Sequence, residues 1–232
     1  MRLAQAERGY RVAIDPVLLA AAIPAKEGDV VLDLGCGVGA AGLCLARRVG
    51  GCRVLGVDMD PRAVSLAREN IEANDFADRM EIVEADLLRL PKTLKPGSFD
   101  HAMANPPHLA ASSAQPSPRA SRARAMVEGE ATLADWIAAA LRLLRTKGSL
   151  TMIHRADRLD ELLAHLHGKA GGVVVFPLWP MRGRPAKRVI VQATKGSRSP
   201  AVLAPGLVLH RDGGLYSRAA ESILRRGVGL AI

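Results

Sequence analysis

Residues 30–42 read VVLDLGCGVGAAG, an apolar run that ends in an acid, Asp33, and continues through glycines at 35, 37 and 39. Backbone without Cβ atoms can approach a ligand closely and take the positive φ angles a tight turn needs, so the spacing suits a nucleotide-type cofactor. Gly37 to Gly42 satisfies G-x-G-x-x-G, and Asp58 follows about 20 residues on, as in a dinucleotide site. Alone, this stretch leaves a nicotinamide and a sulfonium cofactor both open. The second chemical grouping is Asn105-Pro106-Pro107-His108. An amide or aromatic amino nitrogen is a poor nucleophile while its lone pair is delocalised, so a site must hold its N–H groups and aim it. The Asn105 side-chain oxygen and the Pro106 carbonyl can accept two such bonds, and the prolines stiffen the backbone that presents them. Alignment would drive transfer, with the proton leaving afterwards. The His108 imidazole can stack on a base.

These residues need a frame that brings them to one edge. Asp15-Pro16 opens a helix, with Asp15 as cap, through VLLAAAI to Pro24. From Asp29 the pattern alternates: strand 29–34, helix 40–49, strand 53–57, helix 61–73 capped by Asp60, strand 80–85, and a fourth strand from Phe99 to Ala104. Repeated βαβ units imply a parallel, doubly wound sheet with ligands at the carboxyl ends of its strands. Residues 109–127 are rich in Ala, Ser, Pro and Arg and read as a loop. A helix over Leu133–Leu144 follows, with Gly148 as its terminator, then a strand through Ile153, a helix near Asp157–Leu166, and strands Val173–Phe176 and Lys187–Ala193. WPMRGRPAKR makes a basic turn between those two strands. The tail carries a short apolar run, Gly206–His210, and a helix from Ser217 to Arg226.

Composition narrows the partner. The chain has 232 residues and a net charge of +9, which favours an acidic partner, nucleic acid first. Three cysteines, at 36, 44 and 52, make no disulfide framework and no Cys-x-x-Cys pair, so reduced thiols and no metal are expected. No stretch reaches the ~18 apolar residues of a membrane span. The expectation is a cytoplasmic protein of one domain, 1–232, with an N-terminal cap segment (1–28), a catalytic core (29–195) and a C-terminal extension (196–232).

Taken together, Asp33 before the glycines, Asp86 after the third strand and NPPH after the fourth resemble the class I S-adenosylmethionine-dependent methyltransferases, in which D-x-G-x-G follows strand one. The resemblance implies an α/β, Rossmann-like fold with a mostly parallel seven-stranded sheet and an antiparallel strand near the C-terminal edge. It also implies S-adenosylmethionine as cofactor, bound by Asp33, Gly35, Cys36, Gly37, Asp58, Met59, Asp86, Leu87 and Asn105. Within that set Asp58 would accept the ribose hydroxyls, Asp86 and the Leu87 N–H would meet the adenine, and Asp33 would orient the methionine end. NPP followed by Tyr, Phe or Trp is similar to the signature of enzymes that methylate amino groups of adenine, guanine or glutamine; here the fourth residue is His108.

GYRVAIDPVLLAA before the first strand, NPPH with its arginine-bearing loop, and KGSRSPAVLAPGLVLHRDGGLYSRAAESIL at the tail are similar to the bacterial tRNA(Val) adenine-N6 methyltransferase family. That family carries a longer segment, a hairpin, before the GYR region, so a shortened or reassigned start is expected here. The resemblance implies a tRNA substrate methylated beside the anticodon, by a monomer or homodimer. Arg119, Arg122 and Arg124, with Arg182, Arg184, Lys187 and Arg188, would hold phosphates flanking an extruded base. Rival readings are glutamine-N5 methylation of a release factor, guanine-N2 methylation of ribosomal RNA, and an RNA-binding protein without turnover.

Overall fold

The computed structural model describes residues 1–7, 11–107 and 130–232. Seven strands carry the frame: β1 (Val30–Leu34), β2 (Arg53–Asp58), β3 (Met80–Glu84), β4 (Phe99–Ala104), β5 (Leu144–Arg155), β6 (Ala170–Trp179) and β7 (Arg188–Lys195). Their order across the sheet is β3-β2-β1-β4-β5-β7-β6, with β7 antiparallel to both of its neighbours. Two strands of two residues each, β8 (Val202–Leu203) and β9 (Leu207–Val208), add along β6, so the sheet is wider than the seven strands expected.

Alternation along each strand builds two cores. Val31, Met103, Ile153 and Ile190 face helices α1 (Asp15–Ala22), α2 (Ala40–Arg48), α3 (Pro61–Glu72) and α6 (Arg218–Arg226). Leu32, Leu34, Ala102, Met152 and Val191 face α4 (Leu133–Leu143) and α5 (Leu159–Leu166). A strand with both sides covered has to be apolar throughout, which explains the VVLDL run. Asp33 shares the side of Val31, so it points at α2.

At the amino ends of the strands, His101 bridges the Asp29 carboxylate (3.1 Å) and the Ser149 hydroxyl (2.8 Å), pinning β1, β4 and β5 together. At the carboxyl ends the strands stay in register, with Leu34 beside both Val57 and Ala104, and Asp58 beside Glu84. The strand order reverses between β1 and β4, and a ligand cleft belongs at such a switch point.

Two local expectations are corrected. Gly148 does not end α4: the helix stops at Leu143, and Gly148 lies inside β5, where a Cβ would stand 2.8 Å from the Asp100 carbonyl oxygen. The residue serves a close approach of β4 and β5 at their register shift. Asp15 is not the cap of α1 but its first helical residue, following an uncapped Ile14, and its carboxylate pairs with Arg188 at 3.2 Å. The Asp60 cap of α3 is present, accepting from the Arg62 N–H at 3.0 Å.

Candidate active site

The glycine turn is built by β1 and held by β2. After Leu34, Gly35, Gly37 and Gly39 all take positive φ, at 66°, 54° and 82°, a region that costs any other L-residue strain. The Gly35 and Cys36 N–H groups both donate to the Val57 carbonyl (2.8 and 3.1 Å), and the Gly37 N–H donates to the Asp58 carboxylate (2.8 Å). The turn is thereby fixed before any ligand arrives. Gly39 starts α2 in the left-handed region and offers no side-chain cap.

Three acids line this edge. Asp33 is 3% exposed and accepts the Gly42 N–H at 3.2 Å. Burial pushes its carboxyl up to about 7, the Gly42 bond opposes the rise, and the nearby Asp58 charge adds to it. Asp58 is raised in the same direction, again by burial first, against the N–H groups of Asp60 and Gly37. Each of its oxygens already accepts one backbone bond, Oδ2 from Gly37 and Oδ1 from Asp60 at 2.9 Å, which leaves one lone-pair direction per oxygen. Asp86, just beyond β3, caps a short helical turn at Leu87–Arg89 through Oδ1 to the Leu88 N–H (2.9 Å). Its second oxygen has no hydrogen bond among the described residues.

Apolar surface accompanies these acids. Met59 directly follows Asp58 and is 69% exposed, and Leu88 beside Asp86 is also exposed. Cys36 is buried, its thiol pushed well above the ordinary range by desolvation and by the charges of Asp33 and Asp58, so it is no nucleophile.

Two contributors escaped the sequence reading. Trp136, on α4, presses its ring on the turn, so that a Cβ on Gly35 would lie 2.4 Å from it. Its only signal was to be one of two tryptophans in an aromatic-poor chain. Asn70, on α3 and 1% exposed, bonds the Ala4 N–H (2.6 Å) and donates to the Ala4 and Val38 carbonyls (3.0 Å each). An Asn inside a helical pattern, where it is a poor former, was the available hint.

Asn105 follows β4 at the switch point. Its Oδ1 is buried and has no hydrogen-bond partner among the described residues, and an unmet acceptor of this kind costs about 1–3 kcal/mol. Pro106 is buried and Pro107 half-buried. His108, Arg119, Arg122 and Arg124 lie outside the described residues. Arg182, Arg184 and Lys187 are exposed on the connection between β6 and β7, while Arg188 is engaged by Asp15.

The arrangement fits S-adenosylmethionine. Its glycine turn excludes side chains, its buried acids are relieved by a cationic ligand, and exposed Met59 offers an apolar face for a purine. No helix among the described residues is long and apolar enough to cross a membrane.

Residues 11–171 match the family described as "Methyltransferase small domain". A protein of Porphyromonas gingivalis described as tRNA1(Val) (adenine(37)-N6)-methyltransferase is 34% identical over 222 residues, 89% of this chain and 84% of that one. One of the same description from Aeromonas salmonicida is 31% identical over 213 residues, 89% of this chain and 85% of the relative. Among solved structures, a predicted O-methyltransferase from Agrobacterium tumefaciens, Atu636, superimposes with a TM-score of 0.78 at 26% identity, covering 94% of this chain and 99% of that one. Family, strand order and glycine turn agree: the chain belongs to the methyltransferase small-domain family and, within it, to the tRNA1(Val) (adenine-N6)-methyltransferase family, a Rossmann-like enzyme whose methyl donor is S-adenosylmethionine.

Proposed function

We propose that the chain methylates the exocyclic N6 of an adenine beside the anticodon of a tRNA, the reaction for which its curated relatives are named, and that it does so in the cytoplasm. The observation that carries this reading is the buried Oδ1 of Asn105 at the switch point, which has no hydrogen-bond partner among the described residues. An exocyclic amine brings two N–H groups, which the Asn105 side chain and the Pro106 carbonyl would accept. A hydroxyl nucleophile brings one proton and wants a base. S-adenosylmethionine, when bound, supplies a sulfonium-activated methyl group. Asp58 would receive the ribose hydroxyls on its free lone pairs, Asp86 the adenine amino group, and Met59 the purine face. Asn105 and Pro106 hold the substrate nitrogen in line, so positioning supplies the rate. Transfer would exchange the donor's carbon–sulfur bond for a bond to the amino nitrogen, which would then release a proton to solvent. His108 would cover the substrate base, and exposed cations such as Arg182 and Lys187 would meet RNA phosphates.

The test offers labelled methyl donor with unmodified tRNA, ribosomal RNA and release factor in parallel, followed by identification of the modified nucleoside or residue. Label recovered as N6-methyladenosine in tRNA is the expected result. Label in guanosine or in glutamine overturns the assignment.

A further inference from the structure

The connection between β6 and β7 forms a second concavity, apart from the cofactor edge. An open, solvent-facing groove of about 450 Å³ lies between this turn and the tail, lined by Trp179, Met181, Arg182, Arg184, Pro185 and Val208. That size is in the range of small-ligand pockets, about 300–1,000 Å³. Trp179 ends β6 and is half-exposed. Its indole N–H is satisfied by the Pro205 carbonyl at 3.0 Å, and β9 runs beside it, Val208 paired with Trp179. Gly206 is pressed so close that a Cβ would stand 2.8 Å from that indole nitrogen. The tail therefore holds the ring by one edge and leaves an aromatic surface with its polar atom already paired. His210 and Tyr216 stack nearby with ring centroids 4.8 Å apart, and His210 is bonded to the carbonyl of Pro180, the next residue after Trp179. Both arginines at the mouth are exposed and have no acid bound to them among the described residues.

The location relates this groove to the chemistry. Arg188, the first residue of β7, pairs with Arg155 at the carboxyl end of β5, and β5 runs parallel to β4. The turn thus opens on the same rim as Asn105. Ala104, Met152, Val191 and Val175 form one row across the sheet, so β6 stands three strand spacings, about 14 Å, from β4.

An aromatic face flanked by two arginines on the rim of a methyl-transfer site suits a base with its phosphates better than it suits a peptide side chain. We infer that this groove is a second nucleotide subsite, in which an unpaired base of the RNA stacks on Trp179 while Arg182 and Arg184 hold the adjoining phosphates. The inference rests on the RNA reading above and names where that RNA is gripped away from the reacting adenine. Stacking tolerates any base, so the subsite fixes register and leaves sequence choice to other contacts. It also requires unpaired nucleotides near the target, which a loop supplies and a duplex withholds.

The experiment uses the full chain and filter binding of a radiolabelled tRNA(Val) anticodon stem-loop, with a fully paired duplex RNA and poly-glutamate as alternative ligands. The variants are Trp179→Ala, Trp179→Phe and the double change Arg182→Gln with Arg184→Gln. Expected are a loss of about ten-fold in stem-loop affinity for Trp179→Ala, recovery of most of it in Trp179→Phe, and a salt slope shallower by about 1.4 for the double variant. S-adenosylmethionine affinity stays constant in all three. Stem-loop binding unchanged in both Trp179→Ala and the double variant overturns the subsite, as does poly-glutamate rather than RNA losing affinity. Methyl transfer is scored separately. A wild-type protein that methylates tRNA with an indifferent Trp179 loses the subsite and keeps the function; one that grips RNA through Trp179 and methylates none keeps the subsite and loses the function.

Discussion

The Asp58 carboxylate accepts the Gly37 N–H at 2.8 Å, so the acid that ends β2 is also a structural member of the turn that follows β1. Its second oxygen holds the Asp60 N–H, which ties the entry of α3 into the same arrangement. One side chain thereby ties the glycine turn after β1 to the start of α3.

Asp58→Ala removes both bonds and the proposed ribose acceptor. Hydrogen bonds to a charged group contribute about 1.5–3 kcal/mol each. Titration calorimetry should show S-adenosylmethionine affinity reduced at least about 100-fold, with a lowered melting temperature. Affinity kept within a few-fold would remove Asp58 from the ribose role.

Asp33 gives a pH signature. Its carboxyl is raised in the folded chain to about 7 from an ordinary 3.8. The stability this lends is complete below 3.8 and is lost as pH rises through 7, an effect on the order of 4 kcal/mol. Asp33→Asn should therefore melt higher than wild type at alkaline pH and match it more closely in acid. Wild-type affinity for the cationic cofactor should strengthen as pH rises through 7, and the variant should lose that dependence. Parallel melting and calorimetry across pH decide; a wild-type affinity flat with pH removes Asp33 from the charge balance.

Asn105→Ala deletes a buried acceptor that has no hydrogen-bond partner among the described residues. Turnover should fall by about 10²–10³, the usual effect of losing one positioned polar group in a transition state. Cofactor affinity should stay within a few-fold and thermal stability should hold or rise, because desolvation at that atom is relieved. Steady-state methylation with thermal melts reads all three. Normal turnover would end the proposed alignment mechanism.

Gly35→Ala meets two penalties: a φ of +66° and a Cβ within 2.4 Å of Trp136. Together they should cost about 2–4 kcal/mol in denaturant unfolding. Adding Trp136→Ala should return the steric part and leave the backbone part. Strict additivity of the two changes would mean that the ring and the turn do not touch.

Asn70→Ala should release the segment around Ala4, which its amide joins to α3 and to Val38 of the glycine turn. Faster amide exchange at Ala4 and weaker cofactor binding are expected, with the rest of the sheet protected. Unchanged exchange at Ala4 would show that the segment is held by other means.

Much of this was legible in the residues because each signal was local. Asp33 and the glycines sit within seven positions, Asp60-Pro61 announces α3 by cap chemistry, and NPP marks the end of β4 by its own stiffness. What was not legible depended on pairing across the fold. Gly148 looks like a helix stop until β4 is seen to pass within contact of it. Asp15 looks like a cap until Arg188, far along the chain, reaches it. Trp136 and Asn70 act through neighbours that their sequence surroundings do not name. β8 and β9 are too short to carry a pattern and exist because β6 offers them an edge.

Trp136 against Gly35 has an optical consequence. The chain holds two tryptophans, one packed on the glycine turn proposed to seat the methyl donor and the other at the β6–β7 groove. Indole emission responds to its immediate surroundings, so the protein carries a built-in reporter for each place. Quenching that survives Trp179→Phe reads the first, and quenching that this change abolishes reads the second. The order in which donor and RNA arrive can then be followed by mixing experiments on protein bearing no added dye.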